Sequence, residues 1–318
     1  MKGSDTMVKC TVCGRREAVY VRAYSGERLC KKCFVESVEN KVRITIARHK
    51  MFNVDDKIAV AVSGGKDSLS LLHILAKIEG DFPKTSLCAI TVDEGIEGYR
   101  DEAVKLATEN CDRLGVQLGV VSFKDLYGYT LDEIVEKTKG GKLTPCAYCG
   151  VLRRRAINVA AREAGADKVA TAHNLDDEAQ TFLLNIIHGD PLRTARSGPT
   201  LDLAEQGLVQ RVKPLSEVLE KEVALYAYLN EISFQDVPCP YAGAALRNDV
   251  RSILNRLEEK HPGTKYTVYS SMEKIRQALE ETMKTMPLKK CRNCGELTTK
   301  TTCKTCQILR KLEGKSEN

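Results

Sequence analysis

Four Cys-x2-Cys pairs, two toward each end of the chain, limit what its termini can become. Cys10-x2-Cys13 is followed after sixteen residues by Cys30-x2-Cys33, and Cys291-x2-Cys294 after eight residues by Cys303-x2-Cys306. Each pair suits a tight knuckle that turns two thiolates toward one ion. Two knuckles complete a tetrahedral zinc site that leaves no open position for catalysis. Gly14 and Gly295 follow the second cysteine of each leading pair, where a knuckle tolerates positive φ. Segments this short bury too little surface to fold alone and need the metal. We therefore expect two structural Zn²⁺, one held by Cys10, Cys13, Cys30 and Cys33, the other by Cys291, Cys294, Cys303 and Cys306.

Thirteen cysteines in 318 residues fit that reading if the compartment is reducing. Met1 to Val8 contains no apolar signal core, and no apolar run approaches the roughly 20 residues of a membrane span. A cytoplasmic protein is expected, with no membrane partner. Charge is segregated: residues 1–53 carry a net +7, residues 54–286 a net −6 and residues 287–318 a net +5. Basic ends around a slightly acidic middle suit a polyanionic partner. Ordinary solvated surface charge accounts for the same numbers.

Between the cysteine quartets, strand and helix patterns alternate. Lys57–Val62 is a short apolar run ending at a Gly pair, after which Leu69, Leu71, Leu72 and Leu75 recur at helical spacing. Ser86–Val92 and Val116–Ser122 read as strands around a helix over Asp101–Leu114. Arg153–Ala164 reads as a helix, Lys168–Thr171 as a short strand and Leu175–Ile187 as a helix. Leu192–Gln206 has no periodicity and is expected to be a long loop. Beyond Pro238 the pattern is helical over Ala245–Glu259 and Met272–Met283, and Pro287 opens the last ribbon. Repeated βα units predict an α/β class with a doubly wound parallel sheet, flanked by N- and C-terminal zinc ribbons, and such sheets hold ligands beyond the carboxyl ends of their strands. The expected division is 1–53 (ribbon and connecting helix), 54–240 (α/β domain), 241–286 (helical extension) and 287–318 (ribbon).

Ser63-Gly64-Gly65-Lys66-Asp67-Ser68 lies where the first strand of this domain becomes its first helix. Glycines there let backbone N–H groups turn inward as an anion nest, and the helix N-terminus adds positive potential. Ser63, Lys66 and Ser68 add donors, so the junction is built for phosphate. It is not a Walker A loop, because the spaced upstream glycine is missing and Asp67 separates Lys66 from Ser68. The segment resembles the PP-loop of the ATP-pyrophosphatase superfamily, enzymes that cleave ATP between α and β phosphates and pass AMP to a carbonyl oxygen. Ala172-His173-Asn174-Leu175-Asp176-Asp177-Glu178-Ala179-Gln180-Thr181 is similar to the His-x-x-Asp-Asp-x-x-Glu-Thr signature of tRNA-thiolating members, with Gln180 where Glu is usual. The resemblance implies ATP binding by Ser63, Gly64, Gly65, Lys66, Asp67, Ser68, Asp93, His173 and Asp176. Asp176 and Asp177 beside a triphosphate repel it unless a cation intervenes, so Mg²⁺ is expected. The same pair also suits the negative end-group preference of a helix start.

Five cysteines remain. Cys88 and Cys111 sit on apolar elements and read as small buried hydrophobes. Pro145-Cys146-Ala-Tyr-Cys149-Gly150 and Val237-Pro238-Cys239-Pro240-Tyr241 read as proline-flanked loops. Three thiols do not fill a tetrahedral site. They fit a [4Fe-4S] cluster with one iron open, a third zinc site with a further ligand, a thiol/persulfide pair or a purely structural role.

The order of ribbon, PP-loop, Pro-Cys-x-x-Cys-Gly, His-x-x-Asp-Asp, Pro-Cys-Pro and closing ribbon resembles that of the tRNA 2-thiouridine synthetases over essentially the whole chain. Cys149–Arg155 and His188–Arg196 look like the cytosolic wobble-uridine branch, whereas the related T-loop branch tends to carry Lys where this chain has Arg153. The resemblance implies that Cys146, Cys149 and Cys239 ligate an oxygen-sensitive iron–sulfur cluster. It implies an enzyme that adenylates the C2 oxygen of a tRNA uridine and replaces it with sulfur, with Lys66, Asp177 and Arg153 in catalytic roles. The sulfur donor would be sulfide, a persulfide or a ubiquitin-like thiocarboxylate protein, and family members commonly form a homodimer. Arg15, Arg16, Lys289, Lys290 and Arg292 would contact RNA phosphates. Two other classes fit parts of the pattern: a carboxylate-amidating ATP-pyrophosphatase, and a zinc-ribbon RNA-binding regulator whose nucleotide site is a sensor.

Overall fold

The computed structural model describes residues 8–82, 84–141, 143–195, 197–201, 209–242, 246–282 and 289–314. Residues 1–7, Arg196, the residues 202–206 of the expected loop, Ala245, Met283 and Pro287 lie outside them. A short antiparallel pair, β1 (Tyr20–Arg22) and β2 (Glu27–Leu29), follows the first knuckle, and the 18-residue α1 (Lys31–Arg48) leaves the second. Next come β3 (Lys57–Ala61), α2 (Lys66–Glu79), β4 (Ser86–Asp93), α3 (Arg100–Leu114) and β5 (Gln117–Ser122). The short helices α4 (Phe123–Tyr127) and α5 (Leu131–Lys137) lead to α6 (Pro145–Glu163), β6 (Lys168–Ala170), α7 (Leu175–Ile187) and α8 (Pro191–Ala195). The edge strands β7 (Thr200–Leu201) and β8 (Gln210–Val212) precede α9 (Glu220–Leu229), α10 (Leu246–Lys260) and α11 (Thr264–Thr282). A last antiparallel pair, β9 (Lys289–Lys290) and β10 (Leu297–Thr298), and α12 (Lys304–Leu312) form the closing ribbon.

The central sheet has the order β5-β4-β3-β6-β8-β7. Its first five strands are parallel, and β7 pairs antiparallel with β8 at one edge. Apolar residues dominate both faces of the central strands because helices cover both sides: Ala59, Val60, Ala89, Ile90 and Val169 are buried. From β3 the chain steps to β4 and β5 in one direction and returns to β6 in the other. That reversal opens a crevice at the carboxyl ends of β3, β4 and β6, the place such a sheet binds ligands.

The α/β reading therefore holds, with local differences: the helix expected from Met272 begins at Thr264, α9 was not expected, and two segments read as loops are partly regular. The 192–206 segment is not continuous loop, since α8 extends to Ala195 and Thr200–Leu201 pairs with β8. The Cys146-x-x-Cys149 segment is also not a loop. It is the first turn and a half of α6, whose Thr144 hydroxyl caps Ala147 N and whose Pro145 occupies the first helical position. Proline punctuates a helix interior but suits that position, where its missing N–H has no helical partner to lose.

Both ribbons are tied to the core. Leu29, Cys30, Cys33 and Phe34 join the apolar cluster that also holds β3 and α2 residues. At the other end, Ile308, with Leu309 and Leu312, packs into the cluster of Tyr148, Cys149 and Leu152 beneath α6. Arg162 of α6 also pairs with Glu296 of the closing ribbon.

Candidate active site

The crevice is a cavity of roughly 330 Å³ walled by Ser63, Gly65, Asp67, Ser68, Arg153, His173 and Asp177, with Glu94, Arg100 and the ends of β3 and β4 behind them. Its floor is the phosphate loop. Ser63 N donates to Ser68 Oγ at 3.0 Å, the two hydroxyls lie 3.1 Å apart, and Ser68 Oγ donates to Gly65 O at 2.9 Å. Gly65 is the N-cap of α2 and no side chain caps that helix, which leaves first-turn amides for an anion. Gly64 has φ +85°, and a Cβ built on it would lie 2.6 Å from Ala103 O of α3. Only glycine permits both that backbone and that approach.

The opposite wall is the start of α7. Asn174 and Asp177 form a capping box, with Asp177 N donating to Asn174 Oδ1 at 3.1 Å and Asn174 N to Asp177 Oδ2 at 3.2 Å. Asn174 Nδ2 also reaches across to Asp67 Oδ1 at 3.2 Å. Burial, with Asp67 and Glu220 nearby, pushes the Asp177 carboxyl up. Two carboxylates, Asp67 and Asp177, thus share one cavity that also offers an anion nest, and a divalent cation between them would relieve their repulsion. His173 lines the same cavity. Although solvent reaches its ring, crowding by the cavity wall and then the neighbouring Lys213 hold its imidazole down, at about 4. Lys213 itself is paired with Glu178 at 2.8 Å. Gln180 is buried, and its amide oxygen accepts from Arg247 at 3.3 Å, while Arg247 also lies 3.8 Å from Asp177.

Four expected nucleotide residues do not line this cavity: Gly64, which packs against α3, and Lys66, Asp176 and Asp93. Lys66 Nζ binds Asp67 Oδ2 and Glu220 Oε1, both at 2.9 Å, and faces an adjoining cavity of roughly 550 Å³. Burial lowers the Lys66 ammonium, but the two carboxylates outweigh it and hold it above its ordinary value. Asp176 is buried in that second cavity wall, paired with Lys265 and accepting from Glu220 N at 2.8 Å. Asp93 accepts from Gly95 N at 2.8 Å and lines a third cavity, also of roughly 330 Å³, with Asp101 and Asp132.

The cysteine trio lies on α6 and the segment after α9. Cys146 is exposed, Cys149 buried and Cys239 half-buried. Cys146 Sγ donates to Tyr241 O at 3.3 Å, and Cys149 and Cys239 share one apolar cluster, so both segments meet. Burial pushes the Cys149 thiol up to about 11 against the pull of Arg153, whose Nη2 donates to Cys149 Sγ at 3.2 Å. Arg153 also lines the nucleotide cavity, so a single side chain touches both halves of the site.

The quartets behave differently. Within each, the sulfurs lie within 4.8 Å of one another, and Cys13–Cys30 at 3.9 Å and Cys294–Cys303 at 3.6 Å match the edge of about 3.8 Å that a tetrahedron with Zn–S bonds of about 2.3 Å requires. Among the described residues, the trio is not a group of this kind. It does not offer the compact tetrahedron of a single ion; a cubane spreads its irons over a larger body, which suits wider thiol spacing.

Sequence reading missed Glu94, Arg100, Glu220, Arg247 and Lys265. Each is an ordinary charged residue whose partner is remote in sequence. A hint existed only for Glu94, which stands directly after a strand at its ligand-binding end.

A parallel sheet reversed at β3, with a Ser-Gly-Gly-Lys-Asp-Ser loop at the reversal, defines a PP-loop nucleotide domain, and the model of the PP-loop domain matches residues 36–257. Residues 9–35 match the N-terminal LIM domain of the 2-thiouridine synthetase TtuA. The chain is 37% identical to the tRNA 2-thiolation protein NcsA of Haloferax volcanii, over 96% of this chain and 99% of that one. It is also 37% identical to the cytoplasmic tRNA 2-thiolation protein 1 of Chlamydomonas reinhardtii, over 94% of this chain and 84% of that one. Among solved structures it is similar to the U34-tRNA thiolase NcsA from Methanococcus maripaludis with its [4Fe-4S] cluster, at TM-score 0.83, 37% identity and 97% coverage of both chains. The chain belongs to the tRNA 2-thiolation family of PP-loop sulfurtransferases.

Proposed function

We propose that this enzyme performs ATP-dependent 2-thiolation of a tRNA uridine, at the wobble position. The observation that carries the reading is Arg153, which lines the nucleotide cavity while donating to Cys149. Activation and sulfur transfer therefore have one shared boundary. The C2 oxygen of uridine is a poor leaving group. It attacks the α-phosphate of ATP, the α–β bond breaks, and pyrophosphate departs. Sulfur then attacks C2, the C2–O bond breaks, and AMP leaves with that oxygen. Arg153 in place of the lysine of the T-loop branch, together with the U34 activity named for the similar solved structure, favours the wobble uridine.

In this reading Ser63, Gly64, Gly65, Asp67 and Ser68 bind the phosphates through backbone amides and hydroxyls. Lys66 exchanges Glu220 for phosphate oxygen when the nucleotide binds. Asp67 and Asp177 hold Mg²⁺, with Asp176 fixing the helix start through Lys265. His173, neutral at pH 7, flanks the nucleotide, whereas Asp93 lines a neighbouring cavity and is not assigned to it. Asp177 and Lys66 carry acid/base and charge roles, and Arg153 steadies the charge that develops on the departing phosphate. Cys146, Cys149 and Cys239 would hold a [4Fe-4S] cluster, which supplies an iron with an open position for a sulfur ligand. The two quartets hold structural Zn²⁺. The division into 1–53, 54–240, 241–286 and 287–318 belongs to the same proposal, as do a cytoplasmic location and a homodimer. No helix of the described residues is long and apolar enough to cross a membrane.

RNA would approach over the exposed Arg154 and Arg193 and over Arg211, whose Nη2 donates to Arg154 O at 2.7 Å. Burial and the adjacent Arg154 push the Arg211 guanidinium down to about 10, so this edge favours an anion. The basic ribbons extend it. Anaerobic purification followed by metal analysis tests the proposal: about four iron, four acid-labile sulfide and two zinc per chain are expected. Zinc alone in strictly anaerobic material would remove the cluster. Nucleoside mass spectrometry after depletion of the protein should show loss of 2-thiouridine, and an unchanged level would remove the substrate.

A further inference from the structure

Glu94 forms a line of charge that no motif predicts. It is 2% exposed and stands between two guanidiniums, with Arg100 Nε at 2.8 Å and Arg153 Nε at 2.5 Å. On one side, Arg100 is fixed to the phosphate loop and to β4, donating to Ser63 O at 2.9 Å, Val92 O at 2.5 Å and Thr91 Oγ1 at 3.1 Å. On the other, Arg153 reaches Cys149 Sγ. The line from Ser63 through Arg100, Glu94 and Arg153 to Cys149 combines hydrogen bonds at its ends with ion pairs at Glu94, and its three charged members all border the nucleotide cavity.

Dehydrating a carboxylate this deeply costs several kcal/mol unless cations meet it with good geometry. Here two approach, from α3 and α6, as ion pairs; Glu94 Oε2 and Arg100 Nε lie 2.8 Å apart without the alignment of a hydrogen bond, so the two helices meet at one carboxylate that is only partly satisfied. The arrangement also leaves charge to spare, since one anion faces two cations. Arg153 keeps 44% of its side chain exposed although its partner Glu94 is sealed, so Nε and Nη2 are engaged by Glu94 and Cys149 while the outer edge of the planar fork stays accessible. An incoming phosphate competes for that open edge, and any movement of the fork changes its contact with Cys149.

We propose that Glu94 is a positioning residue that joins the phosphate loop to Cys149 through Arg100 and Arg153, so that nucleotide binding is felt at the thiols before sulfur moves. The inference rests on the function proposed above in one respect: it takes the cavity as the ATP site and the trio as the sulfur site. Its test does not need turnover. In reduced, cluster-free protein, where both cysteines are free thiols as in the structure, the alkylation rates of Cys146 and Cys149 are followed by mass spectrometry with and without a non-hydrolysable ATP analogue at saturation. In the unaltered chain the analogue should change the Cys149 rate at least about fivefold, the lower range of coupling between linked sites. In Glu94→Gln that response should vanish while analogue binding persists. Arg153→Met leaves Glu94 beside Arg100 and serves the same purpose if Glu94→Gln does not fold, compared at an analogue concentration raised to restore saturation, because Arg153 also borders the nucleotide cavity. Combining the two substitutions should cost no more than either alone. An undiminished response in Glu94→Gln, or no response in the unaltered chain, overturns the proposal. Nucleotide response without any 2-thiouridine formation would instead overturn the function and leave the coupling standing.

Discussion

Adding one methyl group to adjacent glycines should have opposite consequences. At Gly64 an alanine must adopt φ +85° and place its Cβ 2.6 Å from Ala103 O and 2.8 Å from Ala103 Cα, atoms of a helix that Leu69, Leu72 and other core residues hold in place. The left-handed backbone costs about 1–2 kcal/mol and the overpacking about 1–3 kcal/mol, so Gly64→Ala should lose roughly 2–5 kcal/mol. That is a large share of the about 5–15 kcal/mol typical of a folded domain, and should lower Tm by roughly 5–20 °C. At Gly65, φ is −85° and the nearest neighbour of a built Cβ is Ser63 Oγ at 3.6 Å. Gly65→Ala should therefore stay within about 0.5 kcal/mol of the unaltered chain. Its methyl nevertheless intrudes on the cavity floor where phosphate must approach, and nucleotide affinity should fall about tenfold, or about 1.4 kcal/mol. Urea unfolding and calorimetric titration with ATP measure the two effects separately. Equal stability losses in the two variants, or an unaffected Gly64→Ala, would refute the steric reasoning.

Lys265→Met strands the buried Asp176 carboxylate and should cost about 3–5 kcal/mol in urea unfolding; adding Asp176→Asn should recover part of it, and simple additivity would count against the pairing. The His173 imidazole titrates near 4 when folded against about 6.5 when unfolded, so between those values the unfolded chain binds more protons. Its contribution is complete above about pH 6.5 and is lost as pH falls toward 4. The His173→Gln chain should accordingly lose less stability than the unaltered chain between pH 7.5 and 5, and a steeper loss would contradict the assignment. Cys239→Ala should abolish 2-thiouridine formation while ATP binding stays within about threefold, a change of about 0.7 kcal/mol. Retained thiolation would exclude Cys239 from the sulfur site.

Much of this architecture is legible in the chain because local signals agreed with tertiary demands. Leu175–Ile187 is bounded by a capping box and has a strong 3.6-residue pattern, and its helix spans those residues. The quartets were readable because metal geometry acts over short spacings. The helix α1 was anticipated only as a connection, since its charged face dilutes the apolar period across Lys31–Arg48. Helix α9 was missed altogether: Glu220–Leu229 is apolar on most sides because it is wedged between α1 and α2. Pro145 misled for a different reason, because one residue type both breaks helices and begins them. The relay of Glu94 was illegible in principle. Its partners lie six and fifty-nine positions away, and only the reversal of the sheet at β3 brings α3 and α6 to the same carboxylate.

Helix α6 carries more than the Cys146-x-x-Cys149 turn. Two residues beyond Arg153, Arg155 donates from Nη1 to Cys294 Sγ at 3.0 Å and approaches Cys303 Sγ at 3.8 Å. Thiolates bound to an ion retain the negative charge that such a donor needs, whereas protonated thiols largely do not. With an ion in this quartet, the closing ribbon would be a clamp whose grip on α6 depends on that ion. Its removal would loosen α12 from Leu152 and Tyr148, and with them the turn that carries Cys146 and Cys149. Under the function proposed above, loss of the ribbon's ion would then be felt at the trio, while the phosphate loop, anchored on α2 and α3, would still take up ATP.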